Sequence, residues 1–324
     1  MNDRPGIRRG GEADGARRQG AAGEREDGGA DRAGAGESLP IIRPDWGVPD
    51  RVRVLSTTRM GGVSEPPYDS LNLGLHVGDE PARVRENRRR LVERLSLPSP
   101  PLWLAQVHGT RVVAVDEPRS ADAIASDPLV SPGASSGDPA PGRIGVAGRD
   151  LFEATTVEPS APCEADGAWT GRGGVVLAVL TADCLPVVIA DATGARVLVA
   201  HAGWRGLAGG VLDSALAAFP AGAALHAWLG PAIGPGAFEV GEDVREAFVG
   251  RDTAHAGAFV PTGMPGKYLA DLYALARGEL RRERGDAVRI SGGERCTFSE
   301  PAHFHSHRRD GARSGRMATL AWLS

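Results

Sequence analysis

Residues 181–206, TADCLPVVIADATGARVLVAHAGWRG, carry the strongest structural signal in the chain. Two apolar, β-branched runs at 185–190 and 196–200 are separated by the turn-forming residues 191–194. Runs of this composition favour strands, and a short polar turn between them favours antiparallel pairing. The stretch therefore predicts a β-hairpin.

The predicted hairpin brings two chemically active side chains together. With the turn centred near Thr193, residue 185 lies opposite residue 201, so Cys184 and His201 are within about one residue of a direct cross-strand pair. The Cβ atoms of such pairs are roughly 4.5–5.5 Å apart. A thiolate beside an imidazole is typical of a metal site or of a Cys–His nucleophile pair. The alternative is a buried cysteine beside a hydrogen-bonded core histidine, and the hairpin alone leaves all three interpretations open.

Strand and helix patterns extend from the hairpin toward both termini. Apolar runs predict further strands at residues 51–56, 111–115, 175–180, 225–229 and 317–323, and periodic apolar faces predict helices at residues 81–95, 207–219 and 268–284. Some strands follow one another directly, whereas others alternate with helices. This order predicts an α+β fold, in which a mixed β-sheet is layered with helices in a single compact domain.

Two segments do not fit this pattern. Residues 1–38 contain seven Arg and eight Asp or Glu among many Gly and Ala, and such a segment buries too little apolar surface to offset its ordering entropy. Residues 117–163 contain seven prolines and little periodicity, which is typical of an insertion or a flexible lid, and we favour the insertion. We therefore predict a disordered tail at 1–39 and one catalytic domain at 40–324, interrupted by a low-complexity insertion at about 117–163.

Composition excludes several classes of protein. The 324 residues carry 37 basic and 41 acidic side chains, for a formal net charge of −4, so the chain has no general electrostatic affinity for nucleic acid. Its longest charge-free apolar stretch is far too short to cross a bilayer, and no signal peptide is visible. Three widely spaced cysteines cannot form a disulfide framework. These features predict a cytoplasmic protein without a membrane partner.

Ten motifs follow one another from about residue 50 to the C-terminus. They are STTRMGGVS (56–64), PYDSLNLGLHVGD (67–79), NRRRL (87–91), QVHGTRV (106–112), ADGAWT (165–170), TADCLPV (181–187), HAGWRG (201–206), GPAIGP (230–235), FEVG (238–241) and RRDG with GRMATLAWL (308–323). In this order they resemble the YfiH, or laccase-domain, family, long called polyphenol oxidase. The resemblance implies a YfiH-like fold and zinc held by His108, Cys184 and His201, a ligand set that leaves a fourth position open.

The same resemblance implies purine nucleoside chemistry. The implied reactions are phosphorolysis of adenosine, inosine, guanosine and methylthioadenosine, and deamination of adenosine. A copper-dependent oxidation of phenols has also been ascribed to the family, so copper is the alternative metal.

Five further residues are candidates for contacts near the reaction. Arg59 lies beside two glycines in the TRMGG loop, which suits phosphate, although an ordinary loop salt bridge explains it as well. Asn72 either binds a ribose hydroxyl or organises its own turn. Asp183 orients a metal-bound histidine, acts as an acid–base, or forms a turn. Arg205 begins a run into a helix, where free N–H groups favour an anion. Arg309 is either an anion contact or part of a salt-bridge network.

These observations predict a monomeric zinc enzyme that acts on purine nucleosides and inorganic phosphate, with Cys184, Asp183 and His201 as catalytic residues. Three alternatives stay open. The first is a Cys–His amidase that edits peptidoglycan precursors. The second is a copper-dependent phenol oxidase, which needs further clustered ligands, and the sequence offers only His303, His305 and His307 for them. The third is a non-enzymatic, metal-dependent interaction module.

Overall fold

The computed structural model describes residues 39–115 and 163–324, together with the backbone of strand Glu24–Asp27. Its strands are β1 (Glu24–Asp27), β2 (Ile41–Pro44), β3 (Val52–Thr57), β4 (Val112–Ala114), β5 (Gly167–Thr170), β6 (Leu177–Thr181), β7 (Leu185–Asp191), β8 (Val197–Ala202), β9 (Leu225–Leu229), β10 (Glu239–Gly241), β11 (Phe259–Pro261), β12 (Lys267–Ala270), β13 (Val288–Gly292) and β14 (Met317–Leu323). Its α-helices are α1 (Pro81–Arg94), α2 (Trp204–Gly209), α3 (Val211–Leu216), α4 (Glu242–Val249), α5 (Leu272–Arg284) and α6 (His307–Asp310). Within these residues, every helix is too short or too polar to span a membrane.

The strands form three sheets. A five-stranded antiparallel sheet has the order β1-β2-β3-β14-β6. A six-stranded sheet has the order β13-β9-β7-β8-β5-β4, in which β13 is parallel to β9 and β4 is parallel to β5. The third sheet, β10-β12-β11, is small and antiparallel. The predicted α+β class with a mixed sheet and packed helices is confirmed.

The two large sheets pack face to face between layers of helices. Along β7, Val188 and Ala190 belong to the apolar core between the sheets, together with Val179 of β6. The alternate residues Val187 and Ile189 belong to a second core that they share with α3 and α5. Helix α1 packs on the other face of the five-stranded sheet. Because β7 and β8 are covered on both faces, all their residues are buried, which explains their nearly continuous apolar sequence.

The strand predictions agree with the structure to within two residues at each end, but two helix predictions need correction. The helix predicted at 268–284 begins only after strand β12, because the Asp271 carboxylate caps α5 by accepting a hydrogen bond from the Ala274 N–H at 2.9 Å. The helix predicted at 207–219 is instead the two short helices α2 and α3. Gly210 separates them with a φ of 97°, a left-handed conformation that interrupts a helix.

The hairpin is confirmed, with its register shifted by one residue. Pro186, not residue 185, lies opposite His201, and Leu185 lies opposite Ala202. The Asp191 carboxylate accepts hydrogen bonds from the backbone N–H groups of Thr193, Ala195 and Arg196. These bonds close a turn centred between residues 193 and 194, half a residue beyond the expected centre.

The predicted tail and insertion lie mostly outside the described residues. Of residues 1–39, the structure describes residue 39 and strand β1, which pairs with β2. Residues 117–162 of the insertion are outside the described ranges. Both assignments therefore stay predictions.

Candidate metal centre and substrate cavity

Three chain segments bring His108, Cys184 and His201 together. His108 lies in the loop before β4, where it has a φ of 61° and is followed by Gly109. Cys184 directly precedes β7, and His201 lies in the adjacent strand β8. Because β4 is separated from β8 by β5 alone, the three segments meet at one end of the six-stranded sheet.

The three side chains have the spacing of a metal-ligand set. Cys184 Sγ is 3.8 Å from His108 Nε2, and one ligand atom from each residue lies within 4.8 Å of the others. The imidazole rings of His108 and His201 are T-shaped, with centroids 4.8 Å apart. Among the described residues, no other group of three His, Cys, Asp or Glu has this spacing, so His303, His305 and His307 do not form a second site.

Asp166 holds this arrangement, and sequence reasoning did not single it out. Its fully buried carboxylate accepts a hydrogen bond from His201 Nδ1 at 2.9 Å. The same carboxylate accepts from the backbone N–H groups of Val107, His108 and Gly109 at 3.3, 3.0 and 2.7 Å. Because His201 donates through Nδ1, its Nε2 remains available as a ligand atom. The histidine-orienting role that the sequence offered to Asp183 therefore belongs to Asp166.

Hydrogen bonds also set the charge of Asp166. Burial acts to raise the pKa of this carboxyl, but the hydrogen bonds from His201 and from backbone N–H groups outweigh burial and lower it below its usual range. The side chain is therefore an anion at neutral pH and can only accept hydrogen bonds, so Nδ1 of His201 keeps its proton whether the imidazole is neutral or charged.

Cys184 and His201 stabilise each other's charged forms. Burial opposes ionisation of the thiol, but His201 and His108 lower the pKa of Cys184 to about 6. Burial likewise opposes protonation of the imidazole, but Cys184 and Asp166 raise the pKa of His201 to about 9. Without a bound metal, the pair is a thiolate and an imidazolium near neutral pH. The thiolate is the form that binds metals and attacks electrophiles.

Two glycines of the HAGWRG motif keep the space around the ligands open. A Cβ atom at Gly203 would lie 2.9 Å from His108 Cδ2 and 3.1 Å from Cys184 Sγ. A Cβ atom at Gly206 would lie 2.7 Å from the carbonyl oxygen of Gly109. The close approach of the His108 loop to the start of α2 therefore requires glycine at both positions.

A cavity of about 700 Å³ opens onto the three ligands, a volume typical of small-molecule sites. One set of wall residues is aromatic or aliphatic and includes Trp103, Trp204, Ile233, Phe238 and Leu272. Another set is cationic or polar and includes His76, Arg88, Gln106, His307, Arg308 and Arg316. Of the described residues that line the cavity, Asp183 is the one carboxylate. Such walls suit a planar ligand together with an anion.

Asp183 lies at the cavity wall beside Cys184, with a φ of 85°. Its carboxylate accepts hydrogen bonds from the Thr297 hydroxyl and from the Arg308 backbone N–H, each at 2.6 Å. Its carbonyl oxygen accepts from the Ile233 N–H at 3.0 Å. These contacts support the turn-forming alternative, since they hold the backbone that presents Cys184.

Arg59 and Asn72 do not line this cavity, which corrects the expectation that they contact substrate there. Arg59 donates from Nε and Nη2 to the carbonyl and carboxylate oxygens of Asp69, and from Nη1 to the Pro301 carbonyl. The Asn72 side chain is fully buried and bonded to protein groups, including the backbone N–H of Arg316 at 2.9 Å. Arg59 is therefore a loop salt bridge, and Asn72 organises its surroundings.

Arg205 and Arg309 also lie away from the cavity walls. Arg205 is exposed, and its guanidinium lies 4.4 Å from the ring centroid of Trp204. Arg309 donates to backbone carbonyls in the segment 297–304 and pairs with Asp310. Arg309 therefore belongs to a network of hydrogen bonds and a salt bridge within the protein. The exposed position of Arg205 away from the cavity gives no support to the anion role expected of it.

The cavity residues that sequence reasoning missed lie inside motifs that it had noted. His76 belongs to PYDSLNLGLHVGD, Arg88 to NRRRL and Arg316 to GRMATLAWL. The signal was therefore present, but nothing in the sequence shows that these segments face one cavity. Gln106 of QVHGTRV is a further example, because its amide exchanges two hydrogen bonds with the backbone of Leu180 and joins the His108 loop to β6.

Comparisons with known proteins agree with this architecture. A family model described as multi-copper polyphenol oxidoreductase laccase matches residues 53–324. A protein named purine nucleoside phosphorylase from Pseudomonas aeruginosa is 44% identical over 283 residues, covering 87% of this chain and 98% of that protein. Purine nucleoside phosphorylase YfiH from Escherichia coli is 44% identical over 284 residues, with the same coverage. A solved structure from Neisseria meningitidis, of family DUF152, is 42% identical with a TM-score of 0.70, covering 88% of this chain and 99% of that one.

Proposed function

Because this chain belongs to the multi-copper polyphenol oxidoreductase laccase family, we propose that it is a zinc-dependent purine nucleoside phosphorylase. The proposed substrates are adenosine, inosine, guanosine and methylthioadenosine, each with inorganic phosphate, and the proposed second reaction is deamination of adenosine. The names of its relatives support the first activity. The observation that carries the proposal is the His108–Cys184–His201 set facing a cavity with both aromatic and cationic walls.

The donor set supports zinc as the metal. Zn–S bonds of about 2.3 Å and Zn–N bonds of about 2.0–2.1 Å at a tetrahedral angle place sulfur and nitrogen about 3.6 Å apart. The separation of Cys184 Sγ and His108 Nε2, 3.8 Å, is close to that value. Zinc with three protein ligands supplies Lewis acidity and lowers the pKa of bound water. In this chain His108, Cys184 and His201 would hold it, and Asp166 would orient His201.

The remaining cavity groups suit phosphorolysis. In that reaction a phosphate oxygen forms a bond to C1′ of the nucleoside, and the C1′–N9 bond breaks. The electron pair of that bond leaves with the purine, which takes up a proton, and ribose 1-phosphate is the second product. The arginines of the wall would hold the phosphate, and Trp204 and Phe238 would pack on the purine. The sugar between them develops oxocarbenium character, which the nearby anion stabilises.

The test uses purified protein with inosine, in the presence and absence of inorganic phosphate. We expect hypoxanthine and ribose 1-phosphate in equal amounts, and only when phosphate is present. Cys184→Ser protein, purified in the same way, controls for contaminating host phosphorylases. Equal hypoxanthine release without phosphate would contradict the proposal. Adenosine without phosphate tests the second reaction, for which we expect inosine and ammonia.

One observation favours a second candidate, a Cys–His amidase acting on peptidoglycan precursors. The His201 imidazole contacts both the Cys184 thiol and the Asp166 carboxylate. This is the arrangement of a nucleophile, a base and a carboxylate that orients the base. Both uses compete for the same thiolate, so a chelator separates them. If chelation abolishes nucleoside cleavage, the metal enzyme is supported, whereas amide cleavage that rises on chelation supports the amidase. X-ray absorption distinguishes zinc from copper in the loaded protein.

We also propose that the protein is a cytoplasmic monomer. All three cysteines of the chain are free thiols in the structure, as suits a reducing compartment. Sedimentation of the metal-loaded protein should give the mass of one chain, and a dimer mass would contradict the monomer.

A further inference from the structure

Three arginines line the cavity, and their guanidinium groups are engaged to different extents. Nε of Arg88 donates to the Leu73 carbonyl at 3.0 Å. Nη1 of Arg308 donates to the Glu239 carbonyl at 2.8 Å. Arg316 has no carboxylate partner among the described residues. Arg308 also lacks a carboxylate partner in the described residues, but it is exposed, whereas Arg316 is half-buried.

Among residues 39–115 and 163–324, one edge of the Arg316 guanidinium has no hydrogen-bond partner. Nη1 donates to the carbonyl oxygens of Ser314 and Gly315 at 2.8 and 3.0 Å, which fixes the orientation of the group. Nε and Nη2 have no hydrogen-bond partner in the described residues. Their N–H bonds are nearly parallel and lie on the same edge, the geometry that binds two oxygens of a phosphate or carboxylate. Within the described part of the chain, Arg316 therefore carries an unpartnered bidentate donor at the cavity wall.

The SLNLG motif holds Arg316 in this position. The backbone N–H of Arg316 donates to Asn72 Oδ1 at 2.9 Å, and its carbonyl accepts from the Leu73 N–H at 3.1 Å. A Cβ atom at Gly74 would lie 2.8 Å from Arg316 Cγ, so glycine gives the stem of this side chain its room. Asn72 and Gly74 thus fix the arginine without lining the cavity themselves.

The surroundings of Arg316 favour an anion from solution. Burial lowers the pKa of this guanidinium, and the nearby groups Cys184 and Asp183 act in the opposite direction; an arginine stays protonated in either case. Burial, and then the charges of Arg316 and Arg88, lower the pKa of His76, so that imidazole is neutral and can donate a hydrogen bond. A half-buried cation without a carboxylate partner has lost hydration that an oxyanion would replace.

We infer that the Nε–Nη2 edge of Arg316 binds inorganic phosphate, with Arg88 as the second cation and Asn72 and Gly74 as positioning residues. The catalytic meaning of this site rests on the proposed function, because phosphate is the attacking group in phosphorolysis. Phosphate binding itself can be measured without nucleoside.

The first experiment compares Arg316→Gln with the metal-loaded wild-type protein. The KM for phosphate should rise about tenfold or more, as expected for loss of a charge-assisted hydrogen-bonded pair, while the KM for inosine changes much less. Arg316→Lys should recover part of the phosphate affinity, because it restores the charge but not the two-pronged geometry. The matched control is Arg313→Gln, an exposed arginine in the same segment, which should leave both constants unchanged.

A phosphate titration followed by ³¹P NMR distinguishes a failure of the Arg316 anion site from a failure of the proposed function. If wild-type protein cleaves inosine but Arg316→Gln keeps the wild-type KM and affinity for phosphate, the inference is wrong and the proposed function stands. If wild-type protein binds phosphate through Arg316 but does not cleave inosine, the proposed function fails and the anion site stands. Should Arg316→Gln fail to fold, an unchanged phosphate affinity in folded Arg316→Lys would overturn the two-pronged contact.

The same arginine could meet a phosphate that belongs to a nucleotide. Inosine 5′-monophosphate distinguishes this source from free phosphate. We expect it to bind more weakly than inosine plus phosphate, with little dependence on Arg316. Tight, Arg316-dependent binding of the nucleotide would overturn the assignment to inorganic phosphate.

Discussion

Two arginines placed beside glycines, Arg59 and Arg316, have opposite environments in this protein. The guanidinium of Arg59 donates from all three nitrogens to Asp69 and Pro301, and its side chain is 15% exposed. The guanidinium of Arg316 uses one nitrogen for backbone carbonyls and leaves the other two without partners in the described residues. Arg59 borders a pocket of about 230 Å³, whereas Arg316 borders the much larger cavity with the metal ligands.

The difference shows that an arginine in a glycine-rich loop does not by itself indicate an anion site. What matters is whether its N–H groups are already bonded to the protein, and that depends on distant segments. Pro301, which accepts a hydrogen bond from Arg59, lies more than two hundred residues from it in sequence. Asn72, which accepts a hydrogen bond from the backbone of Arg316, lies more than two hundred residues from Arg316. Mutations on each side can test this contrast.

The largest effect is expected on the cavity side, from Asp166→Asn. An asparagine has one acceptor oxygen and carries N–H groups of its own, so it cannot accept from His201 and the three loop amides together. We expect metal affinity to fall about 10–100-fold, as for other groups that orient a metal ligand. Competition with a chromophoric chelator measures it. Asp50→Asn, at an exposed carboxylate, is the control. Wild-type metal affinity in Asp166→Asn would show that the Asp166 carboxylate is not needed to hold the metal ligands in place.

The charge coupling in the same cavity should appear in the alkylation of Cys184. In metal-stripped protein with Cys163 and Cys296 replaced by serine, we expect the iodoacetamide rate to be half-maximal near pH 6. Because the thiolate is the reactive form, the rate should fall about tenfold for each pH unit below that midpoint and reach a plateau above it. His201→Gln should move the midpoint upward. A midpoint near the ordinary value of about 8.5 in the parent protein would contradict the coupling.

In the loop that contains Arg59, the variant Arg59→Gln should lower the stability of the protein and leave the KM for phosphate unchanged. Loss of the hydrogen bonds to Asp69 and Pro301 should lower the free energy of unfolding by about 1–2 kcal/mol, the lower part of the range for charged groups, since Asp69 is 49% exposed. Urea unfolding measures this change. A tenfold rise in the KM for phosphate in this variant, matched by none in Arg316→Gln, would reverse the contrast between the two arginines.

The smallest effect is expected from replacing residues 120–160 with a short Gly/Ser linker. The composition of these residues offers no periodic apolar face, so we expect them to contribute little to the core. Loop-closure entropy depends only logarithmically on length, so the free energy of unfolding should change by roughly 1 kcal/mol or less. Metal content should stay at the wild-type level. A variant that unfolds or loses its metal would show that the segment belongs to the core.

The sequence predicted local features better than it predicted contacts between distant segments. The β7–β8 hairpin could be read because both of its strands are buried on two faces and appear as apolar runs around a polar turn. Its register was missed by one residue, since the Asp191 side chain enlarges the turn. Helix α5 was extended too far, because the apolar residues of β12 continue the pattern up to the Asp271 cap.

The residues of the candidate site also differ in whether local or distant contacts bring them together. Cys184 and His201 are neighbours across a hairpin, so a local argument found them, whereas His108 came from family resemblance. Asp166 is brought to His201 by the pairing of β5 with β8, a non-local register that no single motif encodes.

The buried carboxylate of Asp166 also has a consequence for how the protein opens. The loop at residues 107–109 has no regular secondary structure, and Val107 is 52% exposed, so fast amide exchange with solvent would ordinarily be expected there. If the loop swung away alone, however, a fully buried anion would lose three of its four donors, a cost of several kcal/mol. Opening of the loop by itself is therefore a rare event. The amide protons of residues 107–109 should exchange much more slowly than those of an exposed loop, and Asp166→Asn should speed their exchange.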